Sequence, residues 1–245
     1  MSPLWLFHHG PAHTAVAFAR ATNDLVADWC SAQPDRLKGL AQLPAQDVTA
    51  AVVELNRGVT ELGLLGGYLG TDARPALDDP ALDPLYQACV DLDVPLFLHS
   101  TIPGIDGPAG DPRLQRWLGQ VTIGYPIEET VAVTSLLLGG VPRRHPRLDL
   151  CVSHGGAALP FLYRRLRAFA ATPASPISPE ELDESYAQLW FDTHVHSAAS
   201  RDLQAAVTNP AHLVGGNNFG GWDSKARQPA PKGRKPTTTP APCCA

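Results

Sequence analysis

Residues 124–161 read GYPIEETVAVTSLLLGGVPRRHPRLDLCVSHGGAALPF, and this stretch decides the fold class. It predicts a helix near 128–140, a strand at 148–153 and a second helix near 157–171. The strand is an unbroken apolar run, which is typical of a parallel strand that is buried under helices on both faces. The stretch therefore predicts a parallel α/β protein.

The same alternation of helix and strand extends in both directions from this stretch. Six strands, repeating every 25–55 residues, indicate a TIM-type (β/α) barrel, with a doubly wound open sheet as the alternative. The further predicted helices lie near 12–31, 46–57, 82–92 and 199–207, and the further strands at 37–43, 63–67, 95–99, 189–193 and 212–216. We assign residues 1–223 to one barrel domain. Residues 224–245, rich in Pro, Thr and Lys, are predicted to be a disordered tail.

Composition narrows the possible partners. The chain has 245 residues, 44% of them hydrophobic, and a formal charge of −5, which argues against nucleic acid as a partner. Residues 224–245 contain five basic residues and no acidic ones, so residues 1–223 contain 14 basic and 24 acidic residues. The start of the chain does not resemble a signal peptide, and we expect no membrane span. The five cysteines show no metal-ligand spacing and suit a reducing, cytoplasmic location.

Polar side chains follow the predicted strands, where a parallel barrel carries its catalytic groups. Imidazoles at equivalent strand ends would converge on one cavity, as a zinc site requires, although any one of them could be a hydrogen-bonded rim residue. His194-Val195-His196 could be a metal-binding pair, since residues i and i+2 of an extended segment face the same way, or one rim residue and one loop residue. The strand-end residues are His99, His154, Asp192 with His194 and His196, and Asn217-Asn218.

Other histidines have simpler interpretations. We expect His8, His9 and His13 to be polar residues on a loop ahead of the first helix. His145 precedes Pro146 in a predicted turn, and we expect it to be solvated.

Several stretches together resemble the family of aminocarboxymuconate-semialdehyde decarboxylase, within the amidohydrolase superfamily. This family also contains resorcylate-type decarboxylases and a hydratase. The resemblance runs from about residue 12 to 223, and residues 124–161 are its most specific part. The other matching stretches are Pro34-Asp35-Arg36 with Leu43-Pro44, DPLYQACVDLDVPLFLHS (83–100), WFDTHVHS (190–197) and VGGNNFGGWD (214–223).

The resemblance implies roles for individual residues. His99 would bind a divalent metal, with zinc as the first choice and manganese also compatible, and His154 would act in acid–base catalysis. Asp192 and His196 would line the wall of the site or support the ligands from behind. Arg165, on the helix after His154, could contact a substrate carboxylate, although a solvated helix face is the simpler interpretation.

The sequence also departs from the family pattern. The family's first strand, which ends in a His-x-His metal pair, and its last barrel helix are expected to be missing. Asn218 stands where the family has a metal-binding aspartate, and a neutral carboxamide is the poorer ligand.

Three functions remain open. The first is a metal-dependent decarboxylase (a carbon–carbon lyase) or hydrolase of a small carboxylic acid, with weak or absent activity in this form. The second is a non-catalytic scaffold with the same fold. The third is hydrolysis at a metal site built from His99, His154, His194 and His196. The resemblance also implies a homodimer.

Overall fold

The computed structural model describes residues 6–101 and 110–217, and within them six parallel strands form one sheet. The strands follow one another across the sheet in the order in which they occur along the chain. A doubly wound sheet reverses its strand order, so this sequential order excludes that alternative and confirms the barrel arrangement. The strands are β1 (Ala41–Gln42), β2 (Gly67–Gly70), β3 (Leu96–His99), β4 (Leu150–Val152), β5 (Trp190–Asp192) and β6 (Leu213–Val214).

Eight α-helices alternate with these strands or extend the connections between them in the described ranges. A π-helical turn, Gln120–Gly124, leads directly into the fourth helix. The helices are α1 (Ala12–Ser31), α2 (Val48–Thr60), α3 (Asp83–Leu92), α4 (Tyr125–Leu138), α5 (Val141–Arg144), α6 (Leu159–Ala170), α7 (Pro179–Gln188) and α8 (Ala198–Val207).

The hydrophobic core lies between the sheet and the helices. Fully buried side chains come from the strands, such as Leu69, Leu98 and Phe191, and from helices, such as Leu55 and Leu136. Each buried leucine or phenylalanine contributes about 1.5–3 kcal/mol by leaving water. This packing fixes the strand ends in space and so positions the polar residues that follow them.

The apolar character of α4 is greater than expected from the sequence. The stretch Gln120–Leu138 is long and apolar enough to cross a membrane, by length and composition alone, although we expected no such stretch. Its buried residues Val133, Leu136 and Leu137 belong to the core of the barrel. Burial against the sheet accounts for these apolar side chains.

The structure differs from the predicted elements at β2, at α7 and at α5, a short helix that was also not predicted. α2 continues to Thr60, and Gly63 turns the chain with a φ of 66°, so that β2 begins at Gly67 rather than at residue 63. α7 was not predicted, because its sequence is mostly polar. Ser178 and Glu181 form a capping box at its start, a signal that the sequence contains.

Two histidines outside the strand ends are buried, one of them against expectation. His8 exposes 1% of its surface, and its Nδ1 lies 2.9 Å from Oδ1 of Asp72. His145, expected to be solvated, exposes 8%; its Nε2 lies 3.0 Å from Oδ1 of Asp83, and its ring packs edge-on against Tyr86. His8 lies on the loop ahead of α1, as expected, whereas the expectation for His145 was wrong because its carboxylate partner is 62 residues away in the chain.

The first strand of the sheet has a side chain at its outer edge. Asn23 of α1 donates from Nδ2 to the carbonyl oxygen of Gln42 at 3.0 Å, and its Oδ1 accepts the Gln42 N–H at 2.8 Å. Asn23 is fully buried, and a further bond of 2.8 Å to Oε1 of Glu54 fixes its amide. The amide therefore satisfies both backbone polar groups of Gln42.

Candidate active site

Three imidazoles meet at the carboxyl ends of the central strands. His99 ends β3, His154 follows β4 and His194 follows β5. The ring centres of His99 and His154 are 4.9 Å apart, and those of His154 and His194 are 5.9 Å apart. The structure thus brings together strand-end residues that are far apart in the sequence.

His154 is held by a carboxylate that the sequence interpretation did not single out. Its Nδ1 lies 2.9 Å from Oε1 and 3.0 Å from Oε2 of Glu129, a fully buried residue of α4. Glu129 Oε1 also accepts the hydroxyl of Ser153 at 2.6 Å and the N–H of Ser100 at 3.1 Å. Three donors, from His154, Ser153 and Ser100, therefore hold this buried carboxylate.

The charge state of Glu129 decides the tautomer of His154. Burial acts to raise the pKa of Glu129, but the hydrogen bonds of His154 and Ser153 and the charges of His154 and His99 together outweigh it, so the pKa lies below its ordinary value. An ionised carboxylate only accepts hydrogen bonds, so Nδ1 of His154 carries the hydrogen. Exchange of a proton with a substrate then takes place at Nε2.

The backbone at His154 is strained, and the two glycines of His-Gly-Gly make this turn possible. His154 has a φ of 50°, and Gly155 and Gly156 have φ values of 66° and 80°. A Cβ on Gly155 would overlap Cγ1 of Val195, and one on Gly156 would lie 2.6 Å from the ring of Phe191. A non-glycine residue in this region costs about 1–2 kcal/mol, which the site tolerates at His154.

Asp192 holds this turn in place through backbone hydrogen bonds. Its carboxylate accepts the N–H groups of His154 at 3.2 Å, Gly155 at 2.6 Å and His194 at 3.0 Å. One side chain at the end of β5 therefore fixes the turns that carry two of the three imidazoles. The supporting role of Asp192 in a metal site stays a prediction.

His99 is oriented by the backbone. Its Nδ1 lies 2.6 Å from the carbonyl oxygen of Ser100, which can only accept, so Nδ1 carries the hydrogen and Nε2 the lone pair. Burial lowers the pKa of His99, and the nearby ring of His154 lowers it further, which favours the neutral form. Tyr68 and Tyr125 flank the ring, with centres 6.0 and 6.2 Å away. This is the state that a metal-binding histidine requires.

The described residues do not by themselves make a metal site. Within 6–101 and 110–217, no group of three or more His, Cys, Asp or Glu side chains could hold a metal ion. A catalytic zinc ion takes three protein ligands, of which His99 would be one. Asn218, the other predicted ligand, lies outside the described residues, as does the tail 224–245.

Two further predicted site residues lie away from the centre of the cluster. Arg165 is exposed on α6. His196 is also exposed, and its ring centre is 5.0 Å from that of half-buried His194. The roles of His196 and Arg165 stay predictions.

Comparison with known proteins identifies the family. The family model described as amidohydrolase matches residues 5–238, nearly the whole chain. The chain belongs to the amidohydrolase family. Family membership agrees with the observed barrel and with the resemblance that the strand-end motifs carry.

Similar amidohydrolase-family proteins include decarboxylases and a hydratase. The chain is 33% identical to 2-amino-3-carboxymuconate-6-semialdehyde decarboxylase of Dictyostelium discoideum over 79% of this chain and 54% of the relative. It is 30% identical to 2-keto-4-carboxy-3-hexenedioate hydratase of Sphingobium sp. over 94% of this chain and 64% of the relative. The chain thus spans between half and two thirds of the length of these relatives.

Solved structures of amidohydrolase-family decarboxylases share the fold. A 2,6-dihydroxybenzoate decarboxylase in complex with 2,6-dihydroxybenzoate is 25% identical, with a TM-score of 0.73 over 87% of this chain and 69% of the other. A 5-carboxyvanillate decarboxylase of Novosphingobium aromaticivorans with bound manganese is 23% identical, with a TM-score of 0.78 over 89% of this chain and 65% of the other. These structures confirm the TIM-type barrel fold.

Proposed function

We propose that this chain carries the acid–base machinery of a decarboxylase that acts on a small aromatic or unsaturated carboxylic acid. The contact between Glu129 and His154, beside the neutral imidazole of His99, is the observation that carries the proposal. A buried carboxylate that orients an imidazole is the usual arrangement of a general acid–base pair. The decarboxylases among the relatives support this choice of reaction.

His154 would supply the proton that replaces the carboxyl group. In the imidazolium form of His154, the Nε2 proton passes to the carbon that bears the carboxylate, and the carbon–carbon bond then breaks. The electron pair of that bond returns to the substrate, carbon dioxide leaves, and His154 is protonated again from water. Glu129 stabilises the imidazolium form that delivers the proton, because its charge lies on the opposite edge of the ring.

A divalent cation, zinc or manganese, would contribute electrostatic stabilisation of the substrate's negative charge when bound. His99 would bind this cation through the lone pair of Nε2. Manganese is present in the solved 5-carboxyvanillate decarboxylase, which supports a metal requirement for the reaction. Zinc as the natural metal, a homodimer and a cytoplasmic location remain predictions.

Two measurements on the purified chain test the proposal. The first is bound metal by elemental analysis after exposure to zinc or manganese, with His99→Ala against the exposed control His13→Ala. The second is release of carbon dioxide from 2,6-dihydroxybenzoate, 5-carboxyvanillate and related acids, with His154→Gln as the inactive variant. We expect metal binding that His99→Ala alone removes, and turnover that His154→Gln removes. A folded chain that binds no metal and turns over none of these acids would favour the non-catalytic scaffold.

A further inference from the structure

A buried glutamine of α8 contacts the backbone of the two turns that carry His154 and His194. Gln204 exposes 1% of its surface, whereas the other residues of α8 are exposed or half-buried. Its Nε2 donates to the carbonyl oxygen of Asp192 at 2.7 Å and to that of Gly155 at 3.1 Å. The two hydrogens of this amide nitrogen therefore join the end of β5 to the His-Gly-Gly turn.

The amide of Gln204 is unusual for its position on the helix. A fully buried position on a helix that covers a sheet normally carries an aliphatic side chain, and burial of an amide is costly unless its polar groups have partners. Here the partners are two backbone carbonyl groups at the strand ends, and not the backbone of α8 itself. The location of these partners indicates that the amide acts on the candidate active site.

The peptide groups of Gly155 are held by two different side chains. Its N–H donates to Oδ1 of Asp192 at 2.6 Å, and its carbonyl oxygen accepts a hydrogen from Gln204. Gly155 directly follows His154, whose φ of 50° lies in the left-handed region. A side-chain-bearing residue keeps such a strained conformation where the surrounding contacts enforce it. The contact with Gln204 is one of these contacts.

We propose that Gln204 is a positioning residue for His154, which holds the strained His-Gly-Gly turn so that Nε2 of the imidazole meets the substrate. The inference rests on the proposed function of His154 as the acid–base group. Gln204 acts through the backbone of Gly155 and Asp192 and not through the reacting atoms. A misplacement of about 1 Å at a reacting group can lower the rate about 10²-fold, so even a small relaxation of the turn would affect turnover.

The alternative role of Gln204 is that of a simple anchor for α8. An anchor would stabilise the fold without a specific effect on the ring of His154. The two roles differ in the hydrogen on Nδ1 of His154, which the ring donates to Glu129 at 2.9 Å. Exchange of this hydrogen with water reports how often the ring leaves the carboxylate, and exchange of backbone amide hydrogens reports opening of the fold.

Gln204→Leu tests the proposal, because leucine fills the buried position and donates no hydrogen bond. Gln87→Leu, at an exposed position of α3, is the matched control. With ¹⁵N-labelled histidine, we expect exchange at Nδ1 of His154 to be at least about tenfold faster in Gln204→Leu and unchanged in Gln87→Leu. In the decarboxylation assay, kcat should fall about 10–10²-fold while KM stays within about twofold.

Gln204→Glu provides a second variant of the same size, in case leucine prevents folding. Its ionised carboxylate at pH 8 has no hydrogen to donate to the two carbonyl groups, so exchange at Nδ1 of His154 should again be at least about tenfold faster than in the unaltered chain. Unchanged exchange at His154 in a folded variant would overturn the proposal. An increase that is equal for all protected hydrogens, or a change in KM alone, would also overturn it.

The same measurements separate this proposal from the proposed function. Selectively faster exchange at His154, in a chain that releases carbon dioxide from none of the tested acids, would contradict the decarboxylase function and still support the hold of Gln204 on the turn. Decarboxylation with an unchanged kcat in folded Gln204→Leu would overturn the positioning role and leave the decarboxylase function in place.

Discussion

The two carboxylate oxygens of Glu129 lie 2.9 and 3.0 Å from Nδ1 of His154. The two residues are 25 positions apart, and α4 and the turn after β4 bring them together. Because Glu129 is fully buried and ionised, it selects one tautomer of His154 and a fixed ring orientation.

Glu129→Gln should therefore change the tautomer of His154. A carboxamide offers one acceptor oxygen where the carboxylate offers two, and its NH₂ group facing Nδ1 would move the ring hydrogen to Nε2. We expect the ¹⁵N NMR shifts of the His154 ring to report this exchange, and kcat for decarboxylation to fall about 10²–10⁴-fold. Glu61→Gln is the matched control. An unchanged tautomer in a folded Glu129→Gln protein would contradict the assignment.

Alanine at Gly156 should destabilise the fold more than alanine at Gly63. Both glycines have positive φ values, 80° and 66°, but only at Gly156 would the new Cβ meet another group, the ring of Phe191 at 2.6 Å. Gly63→Ala should cost about 1 kcal/mol for the backbone alone, and Gly156→Ala about 2 kcal/mol more. Denaturant unfolding of the two variants measures the difference. Equal losses would mean that the turn relaxes away from Phe191.

Removal of the Asp192 side chain should loosen the turn at His154. Asp192→Ala leaves three backbone N–H groups without their acceptor, and we expect a loss of about 2–4 kcal/mol in the free energy of unfolding. Asp192→Asn should lose less, since one oxygen still accepts. Asp202→Asn, exposed on α8, should change stability by less than about 0.5 kcal/mol. If Asp192→Ala were as stable as that control, the turn would be held by other contacts.

Stability should also depend on the proton of Glu128. Its pKa is raised from 4.5 to about 7 by burial and by Asp72, so the folded state holds this proton more tightly than the unfolded chain does. The resulting stability is fully present below pH 4.5 and is lost as the pH rises to about 7, by on the order of 2 kcal/mol after solvent screening. Glu128→Gln should remove this component, so the difference between the two unfolding curves should change over that interval. A constant difference from pH 4 to 8 would contradict the raised pKa.

The sequence predicted the repeat of strands and helices and most strand ends, because buried parallel strands produce unbroken apolar runs. It placed β2 too early, because α2 continues through Gly58 to Thr60, beyond the predicted end of this helix at residue 57. It missed α7, where the capping box Ser178–Glu181 is a stronger signal than the weak apolar pattern. Strand-end position selected His99, His154 and Asp192, which the structure places close together at the ends of β3, β4 and β5.

Glu129 was missed for a different reason. Glu128 and Glu129 are adjacent, and only the phase of α4 shows that Glu129 shares the buried face with Val133 and Leu136. An acidic residue on the apolar face of a helix was therefore the available signal. The contact of His145 with Asp83 could not be predicted in this way. No local sequence pattern indicates which distant carboxylate an imidazole will contact.

The amide of Asn23 has a consequence for how copies of this chain meet one another. By occupying the N–H and C=O of Gln42, it takes the place of a neighbouring strand on the outer side of β1. An incoming strand from a second molecule would have to break both bonds before it could extend the sheet. The buried amide of Asn23 should therefore prevent copies of the chain from pairing strand to strand along this edge.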